Sequence, residues 1–160
     1  AMIAEHLRPS NLASNDVITD RGAYHFFRDL GDAALPLLFL CWSDYTSYVT
    51  DAQLRRILPR SGERMMSLER AKKTANIGKT LRHLQVLSLL LKKYFDQPKK
   101  IKPTQLINGR DVMQALNLPS GPQVGELLEK VADAQVEGKV VTKEDALAFL
   151  KSLPLTPQEK

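Results

Sequence analysis

Apolar residues in this chain recur three and four positions apart, and no segment alternates with a period of two for more than a few residues. That rhythm lines apolar side chains along one face of a helix and gives a strand no buried face, so the sequence predicts an all-α fold. With 160 residues, 43% of them hydrophobic and 26% charged, the chain can bury a real core as one medium domain, or one domain with a small appendage. Its longest apolar run, residues 33–42, is roughly half of the ~20 residues a membrane-spanning helix needs, so no membrane is expected as a partner.

Caps and breakers divide the helices. A short helix starts near Ile3 and ends before Pro9, and 10–15 is a polar loop. Thr19 or Asp20 caps a helix running to Leu30, which Gly31 stops. Asp32 is expected to cap the next helix, 33–49, with Pro36 in the first turn, where a missing N–H is harmless. Thr50 or Asp51 caps a short helix that ends before Pro59. A long helix is expected over 63–95. Met65, Leu68, Ala71, Ala75, Leu81, Leu84, Leu87, Leu91 and Phe95 form its apolar stripe, and Arg64, Lys72, Lys73, Lys79, Arg82, Lys92 and Lys93 its opposite face. Gly78 weakens this helix by about 1 kcal/mol relative to Ala and marks a place where it can break.

Residues 97–104, rich in Pro and Lys, read as a linker. It separates a helical body, 3–96, from a small helical tail domain, 105–153, with 154–160 frayed. Three helices fill the tail, over 109–116, 123–136 and 143–153, and Thr142 with Asp145 makes a capping box-like start for the last.

The net charge of +5 is unevenly spread. Residues 1–59 carry 5 Lys and Arg against 7 Asp and Glu, and 103–160 carry 6 against 8, but 60–102 carry 12 against 3. A local excess of nine positive charges is the footprint of a polyanion partner, because each neutralised phosphate releases condensed counterions. The candidate phosphate contacts are Lys72, Lys73, Lys79, Arg82, Lys92, Lys93, Lys99, Lys100 and Lys102, with Arg110 a lesser one. A second candidate is the turn from Leu118 through Gly121 and Pro122 to Gly125: it feeds a helix N-terminus whose free N–H groups suit a phosphate. The alternative reading of Gly121 and Gly125 is structural, one starting a helix and the other letting a neighbouring helix approach. Glu126 and Glu129 on the same helix oppose phosphate.

Two segments are distinctive as motifs. Leu106-Ile107-Asn108-Gly109-Arg110-Asp111-Val112-Met113 is followed by Leu118-Pro119-Ser120-Gly121-Pro122-Gln123-Val124-Gly125-Glu126-Leu127-Leu128, then by Gly138-Lys139-Val140 and Thr142-Lys143-Glu144-Asp145-Ala146-Leu147. This order closely resembles the tail of bacterial class II tRNA nucleotidyltransferases and poly(A) polymerases. His6-Leu7-Arg8-Pro9 and Phe26-Phe27-Arg28-Asp29-Leu30-Gly31-Asp32, with an apolar helix reaching Asp44, look like the later part of an HD-type domain in the same family.

The resemblance implies a parent protein that adds nucleotides to RNA 3′ ends with ATP or CTP and Mg²⁺. The head of that family carries a Gly-Ser phosphate-binding motif and an Asp-x-Asp pair for two metal ions, and neither occurs here. The chain is therefore expected to bind tRNA or another structured RNA beside a catalytic head, with no catalytic residue or cofactor of its own. One alternative is an HD-type metal-dependent phosphohydrolase. The histidines are His6, His25 and His83, none followed by Asp, so only His6 and Asp44 remain as isolated candidate ligands. Another is a structural module in which the long amphipathic helix forms a homo-oligomer. The lone Cys41, in an apolar stretch beside no orienting group for a His25 base, reads as a buried structural thiol suited to a reducing cytoplasm.

Overall fold

A computed structural model describes residues 18–57 and 75–154; the expected first helix, residues 58–74 and the C-terminal tail lie outside them. The described residues are helical and contain no strand. They form two compact units, which meet in the chain between Ile101 and Lys102.

In the first unit, α1 spans Asp20–Leu30. Thr19 caps it, its hydroxyl accepting the Gly22 N–H at 3.0 Å. Asp20 in the first turn and Arg28 in the last suit the helix dipole. Gly31 ends it at φ 52°, and its N–H bonds back to the Phe27 carbonyl. The chain then makes a 3-10 turn, Gly31–Ala33, and runs into α2, Ala34–Thr46. Asp32 does not cap α2 as expected. The turn satisfies the Ala34 N–H with the Gly31 carbonyl, and Ala33, at φ −77° and ψ −13°, is already helical, so no extended residue is available to present a cap.

The end of α2 also falls short of residue 49. Thr46 Oγ1 donates to the Trp42 and Ser43 carbonyls at 2.8 and 3.1 Å, and Ser47 Oγ to that of Asp44 at 2.6 Å, so hydroxyls take the last carbonyls and the chain tightens into a turn. Thr50 then starts α3, Asp51–Ile57, through a reciprocal pair: its N–H donates to Gln53 Oε1 at 2.9 Å and the Gln53 N–H returns to its hydroxyl at 3.3 Å.

The described part of the long helix is α4, Ala75–Asp96, which runs unbroken through a buried Gly78. Its Leu81, Leu84, Val86, Leu87 and Leu90 close a core with Ala23, Phe26 and Phe27 of α1 and Ala34, Leu37, Leu38 and Cys41 of α2. Each such leucine contributes on the order of 2 kcal/mol by leaving water. Within the stretch read as a linker, Pro98–Ile101 forms α5, one turn whose Ile101 is 3% exposed in this core. Pro98 at the first helical position needs no hydrogen-bond partner for its nitrogen.

The second unit holds α6 (Gly109–Leu116), α7 (Pro122–Val136) and α8 (Lys143–Ser152). Asn108 and Asp111 form a capping box at α6, and Thr142 and Asp145 form another at α8. α6 ends on Asn117 in the left-handed region at φ 52°, and α7 is followed by Gly138 at φ 77°. Ile107, Val112, Val124, Leu127, Val131, Ala134, Val140, Ala146 and Leu150 make its core. Gln135 Nε2 donates to the Thr104 carbonyl at 2.8 Å and fixes the incoming strand of chain against α7.

Candidate nucleic-acid interface

The expected cationic face of α4 is not continuous. Val86, Leu90 and Lys93 follow Lys79 by seven, eleven and fourteen residues, which puts all four on one side of a 3.6-residue helix. Val86 and Leu90 are fully buried, so an apolar band interrupts that side. Arg82 is buried as well, 2% exposed, and does not join an exposed basic surface. The helix is packed by α2, α3 and α5, and a helix covered from several sides has no single polar face. Lys79 is exposed near one end of the band, and Lys92 is exposed beyond the other end on a different side of the helix. Lys72, Lys73 and His6 lie outside the described residues.

The positive charge that remains together stands where α4 ends. Lys92, Lys99 and Lys100 are exposed there, and Lys93 is half-buried. Two backbone bonds set this geometry: the Gln97 N–H reaches the Lys93 carbonyl at 2.9 Å, and the Ile101 N–H reaches that of Gln97 at 3.2 Å, so α5 turns directly off α4. α5 packs on α1, and this brings Asp20 between two lysines. Lys100 Nζ lies 2.5 Å from Asp20 Oδ2, and Lys93 Nζ donates to Asp20 Oδ1. Partial burial alone would raise the Asp20 pKa. The hydrogen bonds from Lys100 and Lys93, with their charges, outweigh that and hold the carboxyl below its usual value. Sequence reading took Asp20 only as a capping residue; its role between the two lysines had no local signal.

The remaining candidates are dispersed. Lys102 is exposed at the start of the second unit, and Arg110 is exposed in the first turn of α6. Gly121 and Gly125 are exposed at the start of α7, and a Cβ at either would meet nothing within 4 Å. Gly125 therefore does not serve the approach of a neighbouring helix. Gly121 caps α7 with no side-chain acceptor.

Asp44 is exposed in the last turn of α2, and among the described residues no group of three or more His, Cys, Asp or Glu could hold a metal ion. Burial, then the nearby Asp44 charge, push the Cys41 thiol up, away from a reactive thiolate. The His25 and Tyr24 rings meet at a tilt of 59°, their centroids 5.3 Å apart. His83 packs against Tyr45 with ring centroids 4.8 Å apart and a tilt of 42°; burial, then the charges of Arg82 and Lys79, push its pKa down. Among the described residues no helix is long and apolar enough to cross a membrane.

A CC-adding tRNA nucleotidyltransferase of Thermus thermophilus is 51% identical over 45 residues, 28% of this chain and 10% of that protein. An A-adding tRNA nucleotidyltransferase of Deinococcus radiodurans is 31% identical over 111 residues, 63% of this chain and 25% of that protein. A CCA-adding enzyme of Streptococcus uberis is 50% identical over 38 residues, 24% of this chain and 9% of that protein. The chain thus spans a quarter or less of the length of these relatives. No solved structure matches it. The family model described as tRNA nucleotidyltransferase domain 2 matches residues 61–150, more than half of the chain, taking in α4, α5 and most of the second unit, and the chain belongs to the tRNA nucleotidyltransferase family.

Proposed function

We propose that this chain is an RNA-holding region of a nucleotidyltransferase that extends RNA 3′ ends, with tRNA as its main partner. The observation that carries the reading is the group of exposed Lys92, Lys99 and Lys100 beside Lys93 at the junction of α4 and α5, in a chain of this family. Lysine ammonium groups bind phosphates as point charges and position an RNA without reading its bases. The body, 3–96, and the tail, 105–153, act as two holding surfaces joined through 97–104, and Arg110, Gly121 and Gly125 belong to the second.

The chemistry belongs to a catalytic head outside this chain, which binds ATP or CTP and Mg²⁺; the residues here bind and orient. The relatives whose names specify CC, A or CCA addition support this division, since each is at least four times longer than its matched stretch. The region works in a reducing cytoplasm, where the buried Cys41 stays a thiol.

The test is binding of the full chain to a tRNA transcript and to a duplex DNA of matched charge across a salt series. The reading expects tighter binding to tRNA, falling steeply with salt, and weakened several-fold by Lys92→Gln with Lys99→Gln. Absence of tRNA binding at low salt rules it out, and self-association without RNA affinity would assign the chain to a structural module instead.

A further inference from the structure

From the fork that Lys93 and Lys100 make on Asp20, we infer that this carboxylate is a built-in competitor of RNA phosphate, restraining how tightly the α4–α5 junction holds its partner. The inference rests on the reading of that junction as an RNA-binding surface. Each Asp20 oxygen takes one ammonium group, as the two non-bridging oxygens of a phosphodiester would. Asp20 reaches this position across 73 and 80 residues of sequence, through the packing of α1 on α5. Lys92 and Lys99, by contrast, have no ion pair among the described residues.

The four lysines at the junction therefore fall into two classes. Lys92 and Lys99 are available to a polyanion at once, whereas Lys93 and Lys100 reach a phosphate only by giving up Asp20. A lysine already neutralised by a carboxylate adds little to counterion release on binding, so its contribution to affinity and to salt dependence is suppressed. A surface restrained in this way holds RNA loosely enough to let a finished product leave.

The experiment measures affinity of the full-length chain and its Asp20→Asn variant for the same tRNA transcript across a salt series. Asp20→Asn is expected to bind about 5- to 20-fold more tightly at low salt, with the slope of log affinity against log salt steeper by about 1 to 2, the signature of two added phosphate contacts. Equal or weaker binding by the variant, with the parent chain binding tRNA, overturns the inference and leaves the RNA-binding reading standing. No binding by either chain overturns both.

A second comparison does not require the variant at Asp20 to fold. In the parent chain Lys99→Gln should weaken tRNA binding several-fold and Lys100→Gln less than twofold; an equal or greater loss from Lys100→Gln refutes the competitor role. Where Asp20→Asn folds, adding Lys100→Gln to it should cost as much affinity as adding Lys99→Gln.

Discussion

Lys143 Nζ lies 2.7 Å from Asp111 Oδ1 and so joins the first turn of α8 to the first turn of α6. Asp111 is fully engaged, since its other oxygen accepts the Asn108 N–H at 2.9 Å in the capping box. The hydrogen bond from Lys143, then that from the Asn108 backbone, lower the Asp111 pKa; the Thr142 N–H, then its hydroxyl interaction and the Val141 N–H, lower that of Asp145. A carboxyl with a folded pKa below its unfolded value of 3.8 gives stability that is complete above that value and is lost as pH falls through the lower, folded one. In Asp111→Asn the second unit, followed by amide NMR signals of α6 and α8, should be less stable at neutral pH and lose less of its stability as pH falls below 3.8. An unchanged acid limb would contradict this.

The two capping boxes make a prediction independent of pH. Asn108→Ala and Thr142→Ala should each destabilise the second unit by about 1 kcal/mol, read as a lower urea midpoint at constant slope.

His83, against Tyr45, has the opposite chemistry but the same direction of pH effect. Its folded pKa lies below the ordinary 6.5, so folding favours the neutral ring. Stability from this group is complete above about pH 6.5 and declines as pH drops toward the folded pKa, because the unfolded chain then binds the extra proton. The ring proton resonances of His83 should titrate with a midpoint below those of an ordinary histidine. A midpoint at or above about 6.5 would count against the packing described for this ring.

Substitutions along α4 separate the observed buried face from the stripe expected from spacing. Leu84→Ala and Leu90→Ala should each cost about 2–5 kcal/mol. Phe95→Ala, at a residue 64% exposed, should change stability by less than about 1 kcal/mol. A large loss at Phe95 with little at Leu90 would restore the stripe.

Two glycines should respond in opposite ways. Gly31→Ala places a Cβ on a backbone at φ 52° and ψ −129°, at a cost of about 1–3 kcal/mol. Gly125→Ala sits inside α7 with open space around it, and should stabilise the second unit by about 0.5–1 kcal/mol. If Gly125 serves RNA approach, that same stabilised variant should bind tRNA more weakly.

What the sequence made legible was local. Thr19, Thr50 and Thr142 start helices within three residues of the groups they bond, so spacing along the chain is enough to find them, and the Asn108 cap, which went unread, has the same spacing. Asp32 misled because a 3-10 turn supplied by backbone alone leaves no cue in side-chain chemistry. Pro98, Lys99 and Lys100 look like linker, yet a single residue, Ile101, anchors their turn in the core. Of the candidate interface, the cluster of lysines at the α4–α5 junction was legible as charge. The withdrawal of Arg82 and the pairing of Asp20 were not, since both depend on which helices surround α4 and α1.

The apolar band of α4 also acts as a spacer. Lys79 and Lys92 are 13 residues apart, so the exposed charges at its two ends stand about 20 Å from each other along the axis. Thirteen steps of about 100° also turn Lys92 well over a right angle around the axis from Lys79, so the two ammonium groups leave α4 on different sides and no group the size of one nucleotide meets both.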